Sequence, residues 1–378
     1  MGGDGGNPKK QGTGEPGTKP WPRAVEPVKA DGAEADAADR GPGSEPAEAR
    51  GTSRDSAELD PFEGPAEHDP FEDLVGSGGS EAAFKETDAR GRKGNFVVPF
   101  GLPGSGKTTF LASLFKYIDE SENLTSRIVV PARGKVRHYA GQAMLNQWQK
   151  VFNTGRFPGA TPVGGDAIRG LAYEVTPSKG QRTRLGFSVV EVSGEDLVRV
   201  VAREGSDPRL PDAVAALFRN ANVRTMIVLV VHPNQLDNDL LFNNLFIWLN
   251  ENVSRRLKTF SLAVLIANPD LALQRLHKRR PDTQGHEKLS GNILKLYLKE
   301  FAPKTHSMYN SWPKRRRAIL PFRVGEIETR REGGETRERI TRFNKRNSVQ
   351  FFAWMYHQFT GRKLGPGFIR RLIRWLNG

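Results

Sequence analysis

The stretch VVPFGLPGSGKTTFLASL, residues 97–114, constrains this chain more than any other. An apolar run, a glycine-rich turn and a second apolar-periodic run follow one another without a spacer. That order predicts a short buried strand over 95–100, a tight loop, and a helix from Gly106 to about Tyr117. Gly101-Leu102-Pro103-Gly104-Ser105-Gly106-Lys107-Thr108 satisfies G-x-x-x-x-G-K-[ST] at each fixed position, and Thr109 follows. Glycines let backbone N–H groups curl around a phosphate without Cβ clashes. The helix aims its positive end at the same anion. Lys107 has the reach for β- and γ-oxygens, and the Thr108 hydroxyl suits Mg2+. The pattern implies a site for the phosphates of GTP or ATP with Mg2+. The alternative is a chance match in a Gly-rich chain, and the strand before the motif and the helix after it count against that.

The rest of the chain from Asn95 alternates strand and helix signals. Residues 139–155 have helical spacing, and 167–178 with 182–193 read as a hairpin around Gly180. Residues 223–233 and 259–269 are apolar, β-branched runs of the kind buried in parallel sheets. A helix is expected between them, a last strand over 317–328 and a last long helix over 347–359. Together these predict an α/β fold, a mostly parallel sheet with one antiparallel hairpin, covered by helices on both faces. Combined with the phosphate loop, this is the three-layer sandwich of P-loop NTPases.

Charge and composition divide the chain. Residues 1–95 carry 12 Lys and Arg against 20 Asp and Glu, so the remainder carries 45 against 23. Residues 1–93 are rich in Gly, Pro, Ala and Glu and poor in large apolar side chains, which predicts a disordered acidic tail. Within it DPFE occurs twice, at Asp60–Glu63 and Asp69–Glu72. Phe62 and Phe71 in that setting suit docking into a protein partner's apolar pocket, or the repeat is a chance duplication. Residues 94–362 form the expected nucleotide domain. Residues 363–378 follow as a basic amphipathic helix. Its segment 366–378 sets Phe368, Ile369, Leu372, Ile373 and Leu376 against Arg370, Arg371 and Arg374, suiting peripheral contact with an anionic membrane or cover for an apolar patch of the domain. The basic runs at 278–280, 314–318 and 329–346 have few interleaved aromatics and are read as solvated faces rather than a nucleic-acid surface. The chain has no cysteine. Disulfides, thiolate metal sites and a cysteine nucleophile are thereby excluded, and a reducing, cytoplasmic setting is expected.

A hydrolase of this class needs a carboxylate at the end of a neighbouring strand. FSVVEVSGED supplies Glu191, with Gly194 three positions on, the spacing of a D-x-x-G switch motif with Glu for Asp. RFPGATPVG carries Thr161 where a switch threonine would sense Mg2+ and the γ-phosphate. ANPD, residues 267–270, stands in the place of a base-reading N/T-K-x-D motif. This order resembles the translation-factor-related (TRAFAC) GTPases, and within them the bacterial double-GTPase families, over about residues 95–360. The resemblance implies phosphate and magnesium binding by Lys107 and Thr108, a switch threonine at Thr161, a second switch at Glu191 and Gly194, and guanine reading by Asp270.

Glu191 is one methylene longer than Asp, Asn268 stands where a lysine would lie along the base, and one P-loop is present rather than two. Glu195 occupies the position where many such GTPases carry a water-orienting glutamine; a carboxylate there would repel the γ-phosphate, so slow turnover is expected. Plainer roles stay open for three residues: Glu191 at a solvated strand end, Asp270 as a helix N-cap, and Thr161 as an ordinary loop threonine. The function classes left by the sequence are a switch GTPase, a P-loop kinase or ATPase, and a nucleotide-binding scaffold with little catalysis. In each, the switch loops are a second candidate surface for a protein partner.

Overall fold

Long apolar, β-branched runs have no polar side to turn to water, so they must be covered on both faces. In the computed structural model the described residues are 83–84, 86–129, 132–133, 136–137, 140–157, 168–178, 183–198, 208–235, 237–332 and 335–364. Their elements run β1 (Ala83–Phe84), α1 (Glu86–Gly91), β2 (Gly94–Phe100), α2 (Lys107–Glu120), β3 (Leu124–Ile128), β4 (Ala132–Arg133), β5 (Val136–Arg137) and α3 (Ala140–Thr154). Then come β6 (Ile168–Pro177), β7 (Leu185–Glu191), α4 (Gly194–Val198), α5 (Asp212–Arg219), β8 (Val223–Val231), α6 (Asn238–Leu257), β9 (Ser261–Ala267) and α7 (Pro269–Arg279). The chain closes with α8 (Gly291–Phe301), α9 (Pro303–Ser311), β10 (Arg317–Phe322), β11 (Gly325–Glu332), β12 (Glu335–Phe343) and α10 (Arg346–Thr360).

Among the described residues the main sheet has eight strands, in the order β1-β6-β7-β2-β8-β9-β10 with β3 also paired to β6. β7, β2, β8, β9 and β10 are parallel to one another. The expected hairpin is β6–β7, and β6 runs antiparallel to β7, β1 and β3. The fold is α/β with a mixed, mostly parallel sheet, and five parallel strands end along one edge.

Period-two alternation divides the core. Phe96, Val98, Ile227, Leu229, Leu262 and Val264 pack on one face with α5, α6 and α8. Val97, Met226, Val228, Ala263 and Leu265 pack on the other with α2, α3 and α10. Eight of the nine residues of β8 are buried. Burial of each large apolar side chain contributes ~1.5–3 kcal/mol. That exceeds the ~1 kcal/mol span of intrinsic strand preference, so packing holds these strands. Pro99 has no N–H for a ladder. It is tolerated because β2 pairs with β7 only through Val97, leaving one side of Pro99 outside that ladder.

Two sequence expectations are corrected. The tail does not extend to residue 93, because β1 pairs with β6 and α1 buries Ala89 completely. Asn220 anchors this segment, its Nδ2 donating to the carbonyls of Ala89 (2.8 Å), Arg90 (3.1 Å) and Arg92 (2.8 Å). A six-residue helix with one deeply buried alanine has too weak a pattern to be read beforehand. The strand expected over 317–328 is two strands in two sheets. β10 pairs with β9, and the chain then breaks at Arg323-Val324 to form the separate hairpin β11–β12. Gly333-Gly334, flanked by alternating residues, is the two-residue turn signal that marks it. The expected tail motifs and the segment 366–378 lie outside the described residues. No helix among the described residues is long and apolar enough to cross a membrane.

Several of the arginines are occupied locally. Arg256 donates to the carbonyls of Phe218 and Val223, Arg224 to that of Phe359, and Arg280 bridges Asp282 and Glu300.

Asn220→Ala should lower unfolding free energy by about 1–2 kcal/mol in urea, since it removes the donor from partly buried carbonyls. A chain trimmed to start at residue 94 should melt below one trimmed to start at residue 83. Equal melting would mean β1 and α1 contribute nothing to the fold.

Candidate functional site

The loop between β2 and α2 turns on two glycines. Gly104 (φ 75°) and Gly106 (φ 96°) are left-handed, a backbone that other L-residues adopt only with strain. Ser105 N–H donates to the Leu102 carbonyl at 3.1 Å, tightening the turn. The Ser105 hydroxyl is buried beneath the loop with no hydrogen-bond partner. The first amides of α2 have no intrahelical acceptor, and Gly106 brings no side chain to cap them. The loop therefore presents donors toward the mouth of the sheet.

Lys107 lies on the first turn and is 7 % exposed. Its ammonium donates to the carbonyls of Gly101 (2.6 Å) and Leu102 (3.2 Å). Burial lowers its pKa from 10.5 to about 8, and the Glu191 carboxylate opposes that shift. Thr109, next but one along, is buried.

Strand parity explains why Glu191 meets Thr108. Val189 packs on the face covered by α2, and successive side chains alternate, so Glu191 turns to that same face at the end of β7. It is 4 % exposed, which excludes a solvated position at the strand end. Thr108 Oγ1 donates to Glu191 Oε1 at 2.7 Å. Three residues on, Gly194 lies so close to the phosphate-loop motif that an added Cβ would stand 2.5 Å from Pro103 N. Ser193 and Asp196 cap α4 reciprocally in an S-x-x-D box, Ser193 Oγ donating to Asp196 Oδ2 at 2.8 Å and accepting from Asp196 N–H at 3.0 Å.

The loop from β8 to α6 holds the same turn from the other side, a role that sequence reasoning missed. Leu102 N–H donates to Asn238 Oδ1 at 2.9 Å, and Gln235 Nε2 donates to the Pro103 carbonyl. Asn238 Nδ2 donates to Gln235 Oε1 at 3.2 Å, so the two form one clamp. Arg275 steadies that loop through the Pro233 carbonyl and through Asn234 Oδ1 at 2.9 Å. An asparagine at a helix start reads as a cap, and its buried position, 1 % exposed, is the only mark of this other task.

β9 is the second strand from β2, through β8, and ends at the same edge. Asn268 is left-handed (φ 46°), and its Oδ1 accepts from Leu271 N–H at 3.4 Å, so it is the N-cap of α7. The capping task considered for Asp270 thus belongs to Asn268. Asp270 is in the first turn of α7, with Oδ2 3.0 Å from Arg323 Nη1. Arg323 follows β10, and sequence reasoning missed it too.

Thr161, Phe62 and Phe71 lie outside the described residues, and Glu195 is described only as part of the α4 backbone.

The structure thus brings together the 101–109 loop, Glu191 and Gly194 at one end of the sheet, with Asn268 and Asp270 farther along the same edge. Free helix amides, an ammonium and a hydroxyl–carboxylate pair suit a polyanion accompanied by a hard divalent cation. The donors are oxygens only, and no group of three or more His, Cys, Asp or Glu forms a metal cage among the described residues. That set fits Mg2+, which is held by one or two protein oxygens plus a ligand's phosphates.

No protein-family model matches the chain, and no curated protein matches it as a relative. Among solved structures, a chain of the signal recognition particle receptor SRb-GTP/SRX complex from Chaetomium thermophilum is similar over 53% of this chain and 89% of that one, at 13% identity and a TM-score of 0.20. A likeness at that score carries no weight for fold or function.

The buried ammonium makes a stability prediction. Below pH 8 Lys107 is charged in both folded and unfolded chains, and the desolvation cost is fully present. From about 8 toward 10.5 the folded chain releases the proton first, so the cost shrinks as pH rises. Against Lys107→Met, the wild type should therefore gain a few kcal/mol over that interval in urea unfolding, on the order of 1.4 kcal/mol per pKa unit. A constant difference between the two proteins would show that Lys107 titrates normally.

Proposed function

We propose that this chain is a nucleoside-triphosphate-binding switch protein with the three-layer sandwich of P-loop NTPases, and that it acts as a slow, Mg2+-dependent GTPase. The observation that carries the reading is the 2.7 Å hydrogen bond from Thr108, on the first turn after the phosphate loop, to Glu191, at the end of the adjacent parallel strand. A hydroxyl and a carboxylate at those two places suit a phosphoryl-transfer site. The order of motifs resembles that of TRAFAC GTPases, with one P-loop where the double-GTPase families have two.

In this reading the amides at Gly104–Thr109 surround the β-phosphate. Lys107 exchanges its carbonyl partners, Gly101 and Leu102, for the β- and γ-oxygens, a stronger, charge-assisted pairing. Thr108 and Glu191 would hold Mg2+, with Thr161 as a further ligand when its loop closes. When bound, Mg2+ neutralises charge on the phosphate oxygens. Gly194, packed against Pro103, transmits a displacement of the phosphate loop into α4 and the segment after it, the order–disorder device of such switches. Glu195 orients water but repels the γ-phosphate, so turnover is slow without a partner. Asp270 accepts from guanine N1–H and N2–H. Those switch segments, the Phe62 and Phe71 motifs, and the basic segment 366–378 are the proposed contacts to protein partners and to an anionic membrane surface. The setting is cytoplasmic.

Binding of GTP, GDP, ATP and ADP with and without Mg2+, beside single-turnover phosphate release, tests the reading. Lys107→Ala should weaken triphosphate binding about a hundredfold or more while the fold persists. Glu191→Gln should reduce the effect of Mg2+ on affinity and slow phosphate release. Wild-type triphosphate affinity in a folded Lys107→Ala protein would sink the proposal.

A further inference from the structure

At the far end of the nucleotide edge, β9 and β10 run parallel with Ala267 opposite Phe322, so the chains leaving them start side by side. One continues through Asn268 to Asp270, the other directly to Arg323. Asn268, spent on capping α7, offers nothing long enough to lie along a base. Arg323 is held in three ways. Its backbone N–H donates to Asn347 Oδ1 at 3.0 Å, its Nε to the Gly325 carbonyl at 3.2 Å, and its Nη1 lies 3.0 Å from Asp270 Oδ2. Yet both charged groups remain open, with side chains 45 % and 60 % exposed. An exposed ion pair contributes little to stability, ~0–1 kcal/mol, and so gives a weak structural reason for three anchors on one arginine.

We infer that Arg323 is a specificity residue: with Asp270 it forms a donor–acceptor pair that reads guanine, the arginine donating to O6 while the carboxylate accepts from N1–H and N2–H. This rests on the nucleotide-binding reading and deepens it. The chemistry is that of adjacent complementary groups. Guanine presents an acceptor, O6, beside a donor, N1–H. Asp270 and Arg323 present an acceptor and a donor side by side. Adenine reverses both positions, showing an amino donor where O6 stands and a bare N1 where guanine has N–H. It would face the guanidinium with a donor and the carboxylate with a lone pair. Guanidinium groups suit guanine O6 for the same reason in nucleic-acid recognition. The carboxylate need not leave Arg323 to bind, because its two oxygens hold about four acceptor sites and the arginine takes one.

Two guanine analogues separate the contacts. Inosine triphosphate keeps O6 and N1–H but lacks the 2-amino group; the triphosphate of 2-aminopurine riboside keeps the amino group but lacks O6 and N1–H. Affinities for these, GTP and ATP are measured with Mg2+ on wild type, Arg323→Ala and Arg323→Met, the last preserving the alkyl stem. Wild type should prefer GTP to each analogue by at least about tenfold. Both Arg323 variants should lose about tenfold for GTP and for inosine triphosphate, and little for the 2-aminopurine nucleotide. The GTP-to-inosine ratio should persist in them and collapse in Asp270→Ala. Equal losses across all four nucleotides, or no loss, in folded Arg323 variants would overturn the inference while leaving the phosphate site standing. If wild type binds all four nucleotides equally, base reading by this pair is refuted. If it binds none, the nucleotide reading falls with it.

Discussion

A buried ammonium group is the constraint around which this end of the molecule is arranged. Taking a lysine out of water costs several kcal/mol unless its donors and its charge are answered. Lys107 is answered by two carbonyls of its own loop and by the field of Glu191. Two carbonyls turned inward demand a loop that doubles back within six residues, and that demands the left-handed Gly104 and Gly106. A loop so bent exposes its own polar groups, and they are answered in turn by Asn238 and Gln235. The next residue, Asp239, accepts from Thr305 N–H at 2.7 Å and Lys304 N–H at 3.2 Å, tying α6 to the start of α9. The loop, the helix beside it and a further helix are thereby linked by consecutive hydrogen bonds.

The parallel sheet determines where that arrangement can act. Five strands ending along one edge bring the loops after β7, β2, β8, β9 and β10 into a row, the crevice where open α/β sheets take ligands. In that row Glu191 and the phosphate loop are neighbours, and Asp270 with Arg323 stand two and three strands away from β2. The loop after β8 lies between them. Gln235 and Asn238 hold the phosphate loop, while Arg275, from α7, holds Pro233 and Asn234. Because α7 also carries Asp270, the proposed base end and the phosphate end share one short hydrogen-bonded bridge.

The sequence made the central strands, the helix after the phosphate loop and the β6–β7 hairpin legible, because each has an unbroken pattern of one period. It also singled out the end of β7, where Glu191 lies buried against Thr108, since strand parity and a three-residue offset to Gly194 are local features. What it hid depends on distant chain. Ala89 is buried in a core built by distant segments, and Asn220, far along the sequence, holds its helix end through three carbonyls. The strand over 317–328 read as one run, because β-branched and charged residues continue across Arg323-Val324; only the pairing partner changes there. Asn238 and Arg323 carry no motif at all. An asparagine before a helix and a lone arginine after a strand are common, and their meaning comes from what the fold sets opposite them.

A glutamate at the end of β7 has a physical reading in this geometry. A threonine hydroxyl has one proton to donate and two lone pairs to offer. Thr108 spends its proton on Glu191 Oε1 and keeps its lone pairs. A cation can therefore approach the hydroxyl oxygen without breaking that bond, and the bond raises the electron density the oxygen presents. In the proposed site Glu191 thus also holds Thr108 in one orientation, beside its own place on the metal. The same carboxylate moderates the loss of charge at Lys107. One acidic side chain thus serves the hydroxyl and the ammonium together, and both help to offset its burial.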